Sequence, residues 1–108
     1  MSTTFNLNTW LVDNRCSDSG IHSERVVCAD GFSISVQANE YTYSAPRDNI
    51  GPWSQVECGF PSSTPELIMS YCESPEAPTH TVYSYVPIKL VEELIALHGG
   101  VVKVEAVL

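Results

Sequence analysis

The side chains best suited to metal binding or nucleophilic chemistry are four cysteines and three histidines. No two cysteines form a C-x-x-C pair, so their spacing does not indicate a zinc ribbon or a thioredoxin-like redox site. Cys16, His22 and Cys28 are evenly spaced and could supply three metal ligands. Metal knuckles, however, usually bring two ligands together across a tight turn, which this spacing does not do. We therefore predict no metal site and no cofactor.

The cysteines are expected to be reduced thiols. The first residues show no basic segment followed by an apolar stretch, so we expect no secretory signal and no disulfides. A free cysteine behaves as a small apolar side chain in a protein core. This is the interpretation that we favour for Cys28, Cys58 and Cys72.

A Cys–His–acid arrangement could be drawn from several residues, but no motif would bring them together. The sequence contains no nucleophile elbow, no glycine-rich phosphate loop and no H-E-x-x-H segment. His98 falls where a helix is predicted to end, and the helix dipole stabilises a protonated imidazole there. We predict no catalytic residues and assign His98 a structural role.

Two short segments share a pattern of two tyrosines at i and i+2 shortly before a proline. They are YTYSAP at residues 41–46 and YSYVP at residues 83–87. On a β-strand, residues i and i+2 lie on the same face, so each segment would present two neighbouring rings. Tyrosine is enriched in protein interfaces, because it combines apolar area with a polar tip. The alternative, which the sequence leaves open, is that both pairs fill the core.

The acidic residues outnumber the basic residues by thirteen to five, which gives a net charge of −8. This balance argues against binding to nucleic acid or to an anionic membrane, because such binding needs Lys and Arg. It favours a partner with a basic surface, although an acidic surface can also serve solubility alone. If the tyrosines lie in an interface, nearby carboxylates belong to the same surface. The predicted partner-binding residues are Tyr41, Tyr43, Tyr83, Tyr85, Glu40 and Asp48.

The first half of the chain has mainly β-strand patterns. Residues 5–12 alternate at their start and predict a strand, and residues 13–22 predict a loop. Residues 23–38 predict a β-hairpin, in which Asp30-Gly31 would supply positive φ at both centres of a type I′ turn. Residues 39–52 predict a further loop. Another alternating strand is predicted over residues 53–60, with Trp53, Val56, Cys58 and Phe60 competing for the core.

The second half predicts two helices. Ser63 and Glu66 have capping-box spacing before a short helix over residues 65–73. A strand at 80–86 is followed by a helix at 87–98, in which apolar residues recur at three- and four-residue steps. Gly99-Gly100 would close that helix in the left-handed conformation, and a terminal strand would occupy residues 101–108. The chain is thus predicted to be a single α+β domain over residues 1–108. Its mainly antiparallel β-sheet would have about five or six strands, with two helices packed on one face.

Three segments carry a resemblance to small proteins encoded in phage and prophage genomes: HSERVVCADGFSISVQA, GPWSQVECGFPS and VYSYVPIKLVEELIALHGGV. The resemblance covers roughly residues 5–100 and carries no catalytic residues. It implies a phage-derived, non-catalytic protein in the host cytoplasm that binds and inhibits a host protein. The most specific function that the resemblance implies is that of an anti-CRISPR protein, which engages a basic groove of a nucleic-acid-binding effector. The alternative is a self-assembling or accessory phage protein of structural role, with a homodimer left open, and a small enzyme ranks third.

Overall fold

Four strands form one antiparallel sheet that shares a hydrophobic core with two α-helices and a 3₁₀ helix. The computed structural model describes residues 5–17 and 20–102. In chain order the elements are α1 (Leu7–Asp13), β1 (Val26–Val27), β2 (Ser33–Gln37), β3 (Gln55–Gly59), the 3₁₀ helix (Glu66–Tyr71), β4 (Val82–Pro87) and α2 (Ile88–Leu97). The strand order β1-β2-β3-β4 follows the sequence. The α+β class and the antiparallel sheet are confirmed, but the described residues hold four strands and three helices.

The strand predicted over residues 5–12 is wrong, because this segment forms α1. Asn6 caps the helix, and its side-chain oxygen accepts a hydrogen bond from the Thr9 N–H at 3.1 Å. Leu7 and Leu11 are both fully buried. A separation of four residues suits both the helical repeat and the strand repeat, so the apolar pattern could not distinguish them. The Asn6 cap and the packing of α1 decide in favour of the helix.

The helix α1 is held at its N-terminus by two side chains. The Leu7 N–H donates to the Glu92 carboxylate of α2 at 2.9 Å, which satisfies a backbone donor that the helix leaves open. The Asn8 side chain donates to the Trp53 carbonyl at 3.1 Å and accepts from the Trp53 N–H at 2.6 Å. Glu92 is therefore half-buried where α2 meets the start of α1.

The hairpin predicted over residues 23–38 is confirmed, with a different turn. Along the second arm, Ile34 and Val36 are buried while the alternate residues are half-buried. Cys28 and Phe32 flank the turn: the Cys28 N–H donates to the Phe32 carbonyl, and the Gly31 N–H donates to the Cys28 carbonyl. Only Gly31 has positive φ there, so the turn is a three-residue loop rather than type I′. The Asp30 carboxylate accepts from the Phe32 N–H at 2.9 Å and needs no positive φ for this.

The strand predicted over 53–60 is confirmed as β3, but Phe60 lies outside the core. Val56 and Cys58 are buried on one face, and Phe60 would follow them in strict alternation. Instead Phe60 has a φ of +50° and exposes 52% of its surface. The left-handed backbone turns this ring away from the core.

The helix predicted over residues 65–73 is a 3₁₀ helix that has no side-chain cap. The capping-box prediction for Ser63 and Glu66 is therefore wrong, since Pro65 occupies the N-cap position.

The helix predicted over residues 87–98 is confirmed as α2, in which Pro87 is the N-cap residue. At its C-terminus the Gly99 N–H donates to the Ala96 carbonyl, and the Gly100 N–H donates to the Ile95 carbonyl. This is a Schellman ending. Both glycines have positive φ, as predicted, and a Cβ on Gly99 would lie 2.9 Å from the Ala29 Cβ.

The residues after α2 return to the first edge of the sheet. Val101 forms an antiparallel bridge with Cys28, and the Val102 N–H donates to the Val27 carbonyl at 2.8 Å. These contacts agree with the start of the predicted terminal strand. The rest of that prediction, residues 103–108, lies outside the described residues.

A half-buried cation joins two loops beneath Trp53. The Arg15 guanidinium donates to the carbonyls of Ile21, Ala38 and Asn49, and its Cζ lies 5.3 Å from the centroid of the Trp53 ring. Burial lowers the pKa of the Arg15 guanidinium. Trp53 is 2% exposed, and its Nε1 donates to the Asp48 carbonyl at 3.1 Å. Arg15 thus orders the long loop that leads into β3.

Candidate functional site

The strand β4 contains a β-bulge at its tyrosines. Val86 pairs with Val56 and Tyr83 pairs with Cys58, so two residues of β4 lie opposite one residue of β3. Tyr85 lies in this bulge with a φ of +53°. Because the bulge adds one residue, Tyr83 and Val86 become the buried members of β4 and Tyr85 is exposed. The prediction that Tyr83 and Tyr85 share a face is therefore wrong.

Tyr83 belongs to the core. Its ring is fully buried, and its hydroxyl donates to the Pro78 carbonyl at 2.6 Å. Burial, followed by the neighbouring Cys72 thiol, raises the pKa of the Tyr83 hydroxyl well above its ordinary value. A side chain with no exposed surface and a satisfied hydroxyl stabilises the fold and cannot contact a partner.

The other tyrosine segment meets the bulge. The Tyr85 N–H donates to the Tyr43 carbonyl at 3.0 Å, and the Tyr43 N–H donates to the Glu57 carboxylate at 3.0 Å. The rings of Tyr43 and Tyr85 lie 5.8 Å apart between centroids and are inclined by 39°. The observed ring pair thus joins two tyrosines that are far apart in the sequence. The predicted pairs each joined two tyrosines of the same segment.

The ring pair is open to solvent and carries one cation. Tyr43 is 45% exposed and Tyr85 is 39% exposed. The Arg47 Cζ lies 5.8 Å from the centroid of the Tyr43 ring, within cation–π range. We call these four residues, Tyr43, Tyr85, Arg47 and Glu57, the tyrosine face. It offers apolar area, two hydroxyls, one carboxylate and one guanidinium.

The remaining predicted site residues lie in the loop before β3. Glu40 and Asn49 are joined twice: the Glu40 N–H donates to the Asn49 side chain at 2.9 Å, and the Asn49 amide donates to the Glu40 carboxylate at 2.6 Å. The Asp48 carboxylate accepts from the N–H groups of Ile50 and Gly51. Both acidic residues therefore shape the loop. Tyr41 is the most exposed tyrosine, at 71%, and no ring contact joins it to the described residues.

The residues considered for a metal site do not form one. Cys28 is buried in the hairpin, while Cys16 is half-buried and His22 is exposed. Within residues 5–17 and 20–102, no three His, Cys, Asp or Glu side chains are grouped so that they could hold a metal ion. All four cysteines are free thiols. Burial, followed by the charge of Asp30, raises the pKa of the Cys28 thiol, which disfavours the thiolate that a nucleophile or ligand needs.

His98 forms a cluster that the sequence did not predict. Its ring stacks on Phe32 with centroids 4.0 Å apart, and its Nδ1 lies 2.7 Å from the Asp30 carboxylate. The Phe32 N–H and then His98 hold the pKa of the Asp30 carboxyl below its ordinary value. The cluster fastens the end of α2 to the hairpin tip, in agreement with a structural role for His98. The pairing joins residues 68 positions apart, and no local sequence signal indicates it.

Comparison with known proteins returns no matching family model, no matching curated protein and no matching solved structure. Among the described residues, no helix is long and apolar enough to span a membrane. The tyrosine face is where the described side chains combine exposure with recognition chemistry.

Proposed function

We propose that this protein is a non-catalytic binding domain that engages a basic surface of another protein through its tyrosine face. The exposed contact between the Tyr43 and Tyr85 rings carries this proposal. Tyrosine is among the residues that most often dominate the energetics of protein interfaces. Two tyrosine rings are in contact here on one solvent-facing surface.

The backbone at Tyr85 supports a role in recognition. A non-glycine residue in the left-handed region costs about 1–2 kcal/mol, and Tyr85 does not offset this cost by burying its own ring. Backbone strain of this kind is concentrated at functional sites. Phe60 is the other non-glycine residue with positive φ among those described, and it also exposes an aromatic ring. Both strained positions therefore display an aromatic side chain.

The charge of the chain favours a basic partner. A net charge of −8 raises the rate of encounter with a positively charged surface and disfavours acidic partners. Together with the phage resemblance, this charge supports a more specific proposal: a cytoplasmic inhibitor of a host protein, and most sharply an anti-CRISPR protein bound in the basic groove of a nucleic-acid-binding effector. In that role the acidic surface would occupy the groove in place of nucleic acid.

Two variants test the proposal. Tyr43→Ala removes one ring, and Tyr85→Asn removes the other while keeping a residue that tolerates the left-handed backbone. Each variant and the wild-type protein would be used to capture partners from bacterial lysate, with the melting temperature measured in parallel. We expect one basic protein to be captured by the wild type and lost in both variants, with melting unchanged. An interface hot spot predicts a loss of about thirtyfold in affinity.

The matched control is Tyr41→Ala, which removes an exposed tyrosine from outside the ring pair and should leave capture intact. Affinity for the captured protein should also fall as salt rises from about 50 to about 500 mM, since exposed charges are then screened. Capture that survives both ring variants would place the interface elsewhere. Capture and melting lost together would make the rings structural.

A further inference from the structure

The three arginines of the chain differ in how far the protein itself satisfies them. Arg15 donates to three backbone carbonyls, and Arg25 donates to Ser33 and to the Phe60 carbonyl. Arg47 makes neither a hydrogen bond nor an ion pair to residues 5–17 and 20–102, and its one interaction with them is the stacking on Tyr43. Its five N–H donors are therefore open to solvent. Of the three, Arg47 is the arginine that another group could replace at lowest cost.

The surroundings of Arg47 favour a guanidinium, although Arg47 itself makes no hydrogen bond to the described residues. The Tyr43 face attracts a cation, the Tyr85 ring lies beside it, and the Glu57 carboxylate is fixed by the Tyr43 N–H at 3.0 Å. An arginine that enters from a partner would stack on this ring in place of Arg47. In a chain of charge −8, this small site is also one of the few that carries a positive charge of its own.

We infer that Arg47 occupies a binding site for a partner's arginine. On binding, the partner's arginine displaces Arg47 and stacks on Tyr43. This inference rests on the proposed function, since it names the chemistry that the tyrosine face would recognise. It assigns specificity for arginine over lysine, because a planar guanidinium stacks on an aromatic face while an ammonium acts as a compact point charge. It also assigns Arg47 a competitive role, so the protein binds more weakly with Arg47 than without it.

The test uses deca-arginine and deca-lysine peptides as probes of the whole chain, with affinities measured by calorimetry at fixed ionic strength. Arg47→Ala should raise the affinity for deca-arginine about two- to fivefold, the factor that corresponds to one exposed cation–π contact. The matched control is Lys89→Ala, which makes the same change in net charge at a side chain that is 90% exposed on α2. The Lys89→Ala variant should show a smaller gain, and deca-lysine should gain less than deca-arginine.

A second readout follows Arg47 directly. In nuclear magnetic resonance spectra, the Arg47 side-chain signals should shift when deca-arginine binds to the wild-type protein, because they leave the ring current of Tyr43. Equal gains for Arg47→Ala and Lys89→Ala would reduce the effect to net charge and overturn the inference. A loss of affinity in Arg47→Ala would make Arg47 a contact rather than a competitor, which also overturns it. In either case, the proposed function stands if binding still depends on Tyr43 and Tyr85. If Tyr43→Ala and Tyr85→Asn leave the binding of both peptides unaffected, the result contradicts the inference and the proposed function alike.

Discussion

Two arginines of this protein stack on aromatic rings, one half-buried against Trp53 and one on the surface over Tyr43. Arg15 lies 5.3 Å from the Trp53 ring and Arg47 lies 5.8 Å from the Tyr43 ring, so the two stacking distances are similar. Their surroundings differ. Arg15 donates to three carbonyls beneath a tryptophan that is 2% exposed, whereas Arg47 lies over a ring that is 45% exposed.

The surroundings of a cation–π contact therefore determine whether it contributes to stability or remains available for binding. Beneath Trp53 the contact is one of several interactions that close a loop, and the donors of the guanidinium are engaged. Over Tyr43 it stands alone, and its atoms remain available. The first pair should therefore control stability and the second should control binding, which can be tested by changing each in turn.

The largest effect is expected when the Trp53 ring is removed. Trp53→Ala should lower the free energy of unfolding by about 3–5 kcal/mol, because it deletes a large buried side chain and leaves a cavity. Tyr43→Ala, the corresponding change in the open pair, should lower it by no more than about 0.5 kcal/mol. Urea denaturation of both variants measures the two values. Similar losses would mean that the two aromatic rings contribute equally to the core and would remove the distinction.

The next effect in size concerns the two guanidiniums. Arg15→Ala should lower the free energy of unfolding by about 1–3 kcal/mol, since three carbonyls in two loops lose their donor. Arg47→Ala should change the free energy of unfolding by at most about 0.5 kcal/mol. Thermal and urea unfolding of the two variants would compare them directly, with Lys89→Ala as a control for the loss of one positive charge. A costly Arg47→Ala substitution would show that the open pair also supports the fold.

The smallest effect concerns the Asp30–His98 pair. This pair is hydrogen-bonded, as Arg15 is, but partly exposed, as Arg47 is. The pKa of Asp30 is lowered in the folded state, first by the Phe32 N–H and then by His98, from an ordinary value of 3.8. Because the folded-state pKa is the lower one, ionised Asp30 stabilises the fold above about pH 4, and this contribution is lost as pH falls through the lowered pKa.

We therefore expect Asp30→Asn to weaken the pH dependence of the unfolding free energy below about pH 4, with the wild type and the variant converging in acid. Urea denaturation between about pH 6 and about pH 3 gives the two curves. Parallel curves over this range would mean that Asp30 does not couple folding to protonation.

Local signals in the sequence predicted the parts of the fold that local interactions determine. The alternation of residues 32–38 and the Gly99-Gly100 ending of α2 each depend on residues close in the chain, and both are observed. The period-two pattern of residues 5–12 was misleading, because Leu7 and Leu11 fit a strand and a helix equally well. The helix there is fixed by Asn6 and by a distant partner, Glu92.

The candidate site was predictable in its residue types but not in its pairing. Tyrosine spacing drew attention to both segments, and Tyr43 and Tyr85 do lie on the surface. The bulge that buries Tyr83 and turns Tyr85 outward depends on how β4 pairs with β3, which no single segment reveals. Arg47 carries no sequence signal, because its stacking depends on how the loop before β3 brings the Tyr43 ring against Tyr85 of β4.

The contacts between the hairpin tip and the end of α2 have a consequence during synthesis. Asp30 and His98 are 68 residues apart, and further backbone bonds join Ala29 to Gly100 and Val27 to Val102. A ribosome that adds about 5–20 residues per second needs roughly 3–14 seconds to supply the later partners. Until then Phe32 lacks the imidazole that stacks on it, and the β1 edge of the nascent chain is open to pairing. The hairpin can form early, but its outer edge is completed only after α2 has left the ribosome.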